Sequence, residues 1–178
     1  VALIGIFAGL AIPDANPSIH QQLISTAQIV AADVGYVQSL AVTNNSTYRL
    51  TFDAANNRYV IEHSGANASL DNLPAAPLRS PSDPVDQHIV DLDELPNMGA
   101  TVSFFAAQTA GGSPTAVTYV EFGSLGETTR AEETVIWMTS GYGAAQRYIA
   151  LRVNPVTGLV TIDSFEDTRP PVLDGARF

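Results

Sequence analysis

Cysteine and lysine are both absent from this chain of 178 residues, and its eight basic residues are all arginine. Without cysteine there is no thiol nucleophile, no thiolate metal site and no disulfide. Without lysine there is no Walker phosphate loop and no Schiff-base chemistry. Positive charge is scarce as well: the formal net charge is −10 and the sequence pI about 4.4. Such a surface repels nucleic acid and anionic lipid headgroups, so no nucleic-acid partner is expected. Two catalytic signatures are missing too, the Gly-x-Ser-x-Gly elbow and His-Glu-x-x-His. The composition, 46% hydrophobic and 15% charged, is that of a folded chain, and the length suits one globular domain with an appendage.

What is present is concentrated at the start. Residues 1–12, Val-Ala-Leu-Ile-Gly-Ile-Phe-Ala-Gly-Leu-Ala-Ile, hold no charged or polar side chain, and Pro13 follows. Water penalises such a segment by about 25 cal/mol per Å² of exposed apolar surface. It must therefore lie in a membrane, in a partner or among copies of itself. As a helix it is roughly 18 Å long, short of the ~30 Å hydrocarbon core. Gly5 and Gly9 form a small-xxx-small face that lets helices approach closely.

Asn16-Pro17 then opens an amphipathic helix, read as 17–43. Its apolar positions are Ile19, Leu23, Ala27, Val30, Val34, Val37 and Ala41, spaced by three or four residues. His20, Gln21, Gln28, Asp33 and Gln38 mostly fall off this stripe, and Asn44-Asn45 ends it. Strands are expected at 47–53 and 58–63 as a hairpin, then at 101–106, 116–122, 134–139, 147–153 and 159–163. Residues 64–98 are rich in proline and acid and read as a long loop, with at most a short strand at 88–92. The division is therefore a stalk, 1–16, and a globular domain, 17–178. The latter comprises the helix 17–43, a β-rich region 47–163 and an extended tail 164–178.

Residues 4–13, Ile-Gly-Ile-Phe-Ala-Gly-Leu-Ala-Ile-Pro, resemble the second half of the N-terminal helix of type IV pilins and type II secretion pseudopilins. The match is close at Gly5 and Pro13. Residues 36–43, Tyr-Val-Gln-Ser-Leu-Ala-Val-Thr, and the hairpin from Leu50 to Tyr59 are similar to the H-type minor pseudopilins and FimT-like pilins. The resemblance implies an α+β pilin fold: a long N-terminal helix, kinked or broken near Pro13, packed on an antiparallel sheet domain. Residues 1–42 would form one kinked rod about 60 Å long. In that family the mature helix begins about nine residues further upstream, with an N-methylated residue and a glutamate; this sequence shows neither, so either the numbering starts inside the mature protein or those residues were removed.

It also implies a structural role. The chain would be a subunit of a type IV pilus-like or type II secretion-like filament, stored in the inner membrane and then assembled at the cell surface. Its partners would be copies of itself, in a homopolymer, with the prepilin peptidase and the inner-membrane assembly machinery. Subunit assembly is assigned to Val1, Leu3, Ile4, Gly5, Ile6, Phe7, Gly9, Leu10, Ile12 and Pro13. Leu23, Val30, Val34 and Val37 are assigned to packing the helix under the sheet, against Leu50, Phe52 and Val60.

No enzyme activity, cofactor or metal is expected. His20, His63 and His88 read as surface histidines, with no base and nucleophile in mutual reach. Asp83, Asp86, Asp91, Asp93 and Glu94 lack the Asp-x-Asp-x-Asp-Gly spacing of a calcium loop and read as a solvated acidic run. The sequons at Asn44, Asn45 and Asn67 read as chance triplets. Two other classes stay open. An adhesin or ligand-binding module with a pilin-like anchor could place its site in residues 64–98, and a large aromatic-lined groove there would favour it. A hydrolase built on acid pairs would need two carboxylates facing one cleft.

Overall fold

Side chains set both ends of the long helix α1. α1 runs Ile19–Thr43. The Ser18 hydroxyl accepts from Gln21 N at 3.3 Å, and the Gln21 side chain accepts from Ser18 N at 3.0 Å, a reciprocal capping box. At the other end the Asn44 side-chain amide donates to Leu40 O, and Asn45 takes the left-handed conformation, φ 48°, that stops the helix. The computed structural model describes residues 18–75, 80–96 and 102–178. The stalk 1–16 and the expected break near Pro13 lie outside the described residues.

Among the described residues eight strands follow: β1 (Tyr48–Asp53), β2 (Arg58–His63), β3 (Gln87–Asp91), β4 (Val102–Ala110), β5 (Tyr119–Phe122), β6 (Glu133–Ser140), β7 (Arg147–Val153) and β8 (Val160–Ile162). They make two four-stranded antiparallel sheets, ordered β3-β2-β1-β5 and β4-β6-β7-β8. α1 lies against strands of both, so one apolar stripe closes two sheets. The loop read at 64–98 contains β3 and two 3-10 turns, Ala68–Leu70 and Leu92–Glu94. The fourth strand is longer than read and the fifth shorter.

Leu23, Ala27, Val30, Val34, Val37 and Ala41 have no solvent exposure. They share one core with Tyr48, Leu50, Phe52, Tyr59, Ile61, Val120, Phe122, Ile136, Met138 and Leu151. Each large side chain so buried contributes about 1.5–3 kcal/mol. Val60 is not in this core. The hairpin register pairs Thr51 with Val60 and Phe52 with Tyr59, which puts Tyr59 and Ile61 inward and Val60 on the outer face. A one-residue difference in register exchanges the faces of the whole strand.

β6 is buried on both faces. Ile136 and Met138 face the main core, while Val135 and Trp137 join a second cluster with Ala106, Tyr148 and Ala150. Residues after β8 cover that cluster. They form two isolated bridges, Tyr148 with Glu166 and Ala106 with Arg177, and a 3-10 turn at Asp174–Ala176. Val172 packs on the cluster, and Asp167 pairs with Arg147 at 2.9 Å. The tail read as extended is thus a strap across the second sheet.

Candidate functional site

α1 carries one charged side chain, Asp33, which is half-buried and reaches the sheet. The Tyr59 hydroxyl donates to its Oδ2. Burial raises the Asp33 pKa, against the pull of the Tyr59 hydrogen bond and of His88 nearby. Tyr59 itself is pushed well above its ordinary value, by burial first and then by the Asp33 charge, so it stays a donor. His88 is only 2% exposed; it is on the inward face of β3, paired in register with Ile61. It is not a surface histidine.

The remaining exposed positions of α1 carry no carboxylate and no arginine, and His20 is its one other titratable side chain there. Gln21, Ile24, Gln28, Ala32, Ser39 and Val42 are exposed along its length.

His63 departs furthest from its reading. Its ring is completely buried, with Nδ1 2.7 Å from Asp71 Oδ1 and Nε2 2.7 Å from Ser46 Oγ. With the carboxylate accepting at Nδ1, the proton sits there, and Nε2 accepts from the serine hydroxyl. That connectivity is the one a hydrolytic triad uses. Access is what it lacks. A Cβ on Gly65 would fall 2.2 Å from Ser46 Oγ and 2.7 Å from His63 Nε2, so the Gly65 backbone sits directly over the pair. A reacting carbon must come to roughly 3 Å from the nucleophile, and the leaving group must reach Nε2. The three residues act as a clamp instead: they tie the α1–β1 turn to the end of β2 and to the loop beyond it.

Among the described residues every arginine has a partner. Arg49 bonds Glu121, Arg58 bonds Asp53, Arg152 bonds Glu133 and Asp163, and Arg177 bonds Asp174. Arg130 lies 4.1 Å from the Tyr119 ring centre and donates to Tyr119 O, and Arg169 covers Phe105. These pairs leave no array of free cations for a polyanion.

The acidic run is turned onto its own backbone. Asp83 Oδ2 accepts from Ser80 N and Ile89 N, Asp91 Oδ1 from Asp93 N, and Asp93 Oδ1 from the Asn57 side chain. Among the described residues no three His, Asp or Glu side chains converge as metal ligands. A cavity of about 280 Å³ beside the run is lined by Arg58, Asp83, Ile89, Asp91, Glu94 and Leu95, with no aromatic side chain among the described residues of its wall. Asp83 and Asp91 both line it, and both are already held by amides.

The residues assigned to assembly, Val1 through Pro13, lie outside the described residues. Among those described, no helix is long and apolar enough to cross a membrane. Leu23, Val30, Val34 and Val37 are together on the buried stripe. Reasoning from sequence missed Ser46, His63 and Asp71 as a group. The one signal available was the hairpin, whose pairing of Tyr48 with His63 returns the end of β2 to the start of β1.

No protein-family model and no curated protein matches this sequence. Among solved structures, the minor pseudopilin EpsH from the type 2 secretion system of Vibrio cholerae is similar at a TM-score of 0.54 and 10% identity, over 80% of this chain and 97% of that one. The type IV minor pilin FimU of Pseudomonas aeruginosa (strain PAO1) is similar at a TM-score of 0.47 in one crystal form and 0.48 in another, both at 19% identity. Those two matches cover 80% and 85% of this chain, and 93% and 94% of FimU. The likeness to EpsH is one of fold: an N-terminal helix on antiparallel sheets, the pilin fold.

Proposed function

We propose that this chain is a structural subunit of an extracellular filament of the type IV pilus or type II secretion kind, assembled through residues 1–12. The observation that carries the reading is the joining of two features. A charge-free segment of twelve residues stands, six residues upstream, before a helix whose own apolar stripe is already consumed by two sheets. The segment therefore has no remaining place in its own domain's helix–sheet core. Bundled with equivalent segments, it escapes water; the acidic sheet domains then tile the outside. Before assembly the same segment would hold the subunit in the inner membrane, and homopolymers are the expected product.

The test is Ala8→Asp in the full chain. An unpaired charge in an apolar bundle costs several kcal/mol per subunit, roughly 2–7 on the polar-burial scale and more for an ion. Fibres seen by microscopy for the wild type should disappear, while circular dichroism of the sheet domain stays unchanged. Wild-type-like fibres from Ala8→Asp would show that the segment is an anchor only. The adhesin alternative gains no support from the cavity near the acidic run, whose described lining holds no aromatic side chain.

A further inference from the structure

We propose that the sheet domains of successive copies also meet head to tail: the β6–β7 turn of one copy, led by Tyr142, seats on an apolar patch at the far end of the next. The inference rests on the filament reading above and adds to it a second contact, between domains. At the patch four large apolar side chains project. Leu125 is 87% exposed, Val156 77%, Leu159 62% and Val42 50%. They come from the β5–β6 turn, the β7–β8 turn and the end of α1. Tyr142, in the β6–β7 turn, is 88% exposed.

These two features lie at opposite ends of α1. Near its C-terminal end, Gln38 Nε2 donates to Gly126 O at 2.7 Å and to Thr157 O at 2.6 Å, so one side chain holds both turns of the patch. Near its N-terminal end, the His20 ring lies 4.8 Å from that of Phe165. Glu166, the next residue, bridges Tyr148 at the start of β7. β7 therefore starts beside the N-terminal end of α1, where the Tyr142 turn enters it, and leaves into the patch at the other end. One end presents a single projecting ring and the other a cluster of aliphatic groups. Unlike surfaces at opposite ends of one axis make a heterologous contact, which repeats along that axis as an open polymer. Both halves are on this chain, so a second copy supplies the partner.

Each half is fixed before the two meet. Ala145 N donates to Tyr142 O and Gln146 N to Gly143 O, both at 3.2 Å. Arg147 Nη1 donates to Ala144 O at 3.0 Å and to Gln146 O at 2.8 Å. A Cβ on Gly141, φ +83°, would fall 2.6 Å from Ala145 O, so the tip needs glycine there. In the patch, Thr128 N donates to Pro155 O at 2.8 Å, and Asn154 Oδ1 accepts from Val156 N and Thr157 N. A Cβ on Gly158, φ +67°, would fall 2.2 Å from Gly126 O. Surfaces held in this way lose little freedom on binding. Clustered exposed apolar groups mark contact surfaces, and tyrosine is enriched among the residues that dominate them.

Charge favours the same pairing. Residues 140–146, Ser-Gly-Tyr-Gly-Ala-Ala-Gln, and residues 154–160, Asn-Pro-Val-Thr-Gly-Leu-Val, hold no charged side chain. Arg147 beside the tip is paired with Asp167, and Glu127 beside the patch is folded back to accept from Leu125 N at 3.0 Å. On a chain of net charge −10, two copies meet with least repulsion where such turns face each other.

Crosslinking tests the contact. The chain has no cysteine, so introduced thiols react alone. Ala144→Cys marks the tip and Thr157→Cys the patch, both at exposed positions. Full chain carrying both is assembled, treated with a short bis-maleimide and run on a denaturing gel. Within one copy the two positions lie at opposite ends of α1, so only a contact between copies can join them. A ladder of covalent dimers, trimers and longer products is expected from the double variant, and none from either single variant. Polymers that form without that ladder, or single variants that give dimers as readily, would overturn the head-to-tail contact and leave the filament reading standing. Failure of the unmodified chain to polymerise would overturn the filament reading, and this proposal with it. As a second arm, Tyr142→Asp sets a carboxylate against the patch and should raise the concentration needed for assembly by roughly tenfold or more, with an unchanged circular dichroism spectrum. Unchanged assembly would contradict the proposal.

Discussion

The Tyr59 hydroxyl, on the second strand, donates to the carboxylate of Asp33, the one charged side chain of α1. The bond crosses the seam between helix and sheet. It holds an acid whose burial has raised its pKa above the ordinary 3.8.

A consequence for stability follows with a definite sign. Below the unfolded pKa, Asp33 is neutral in both states and contributes no difference. As pH rises above 3.8, the unfolded chain ionises first, and the native state loses stability until its own raised pKa is passed. Asp33→Asn, which keeps an acceptor for Tyr59, should therefore be more stable than wild type at pH 7. The gap should close as pH falls to 4 and below. Urea midpoints across that range check it. Tyr59→Phe leaves Asp33 without this donor and should cost about 1–3 kcal/mol at pH 7.

Gly65 and Ser46 should be energetically coupled. Gly65→Ala alone drives a methyl group to 2.2 Å from Ser46 Oγ and breaks the clamp on His63. Overpacking of this kind costs about 1–3 kcal/mol. In a Ser46→Ala background the nearest clashing atom is gone, so the cost of Gly65→Ala should shrink by about 0.5 kcal/mol or more. Equal costs in both backgrounds, measured by thermal melts, would mean that Gly65 is held by something else.

Trp137 reports on the strap. It is the sole tryptophan, 6% exposed, and lies in the outer cluster under residues after β8. Val172→Asp puts a charge on that cluster. Its expected result is a red-shifted tryptophan emission and easier quenching by acrylamide, with α1 still helical by circular dichroism. Unshifted emission would mean the strap does not shield the indole.

Much of the helix could be read from the chain because its apolar residues recur at three and four, and one buried stripe needs only one period. Faces of strands were harder. In Arg58-Tyr-Val-Ile-Glu-His63 three consecutive residues are apolar, so alternation alone does not say whether Tyr59 or Val60 points inward. The partner strand decides, through the pairing of Phe52 with Tyr59. β3 poses the same problem, and His88 is consequently inside. β6 is apolar on both sides, and nothing local shows that a tail from residue 164 onward covers one of them.

The polar groups were legible only in part. Ser46, His63 and Asp71 belong to three segments, and their contact exists only once the hairpin has closed. Leu125, Val156 and Leu159 stand singly in turns, where an apolar residue carries no pattern. What unites them is Gln38, a residue of the helix's polar side whose role depends on two loops far along the chain.

The central claim is that residues 1–12 join copies of this chain into a filament, and electron microscopy of the assembled full chain tests it most directly. The account predicts helical fibres whose reconstruction shows residues 1–12 bundled along the axis and the sheet domains outside. Single copies, with that segment seated in detergent or lipid alone and no fibre under any assembly condition, would contradict it.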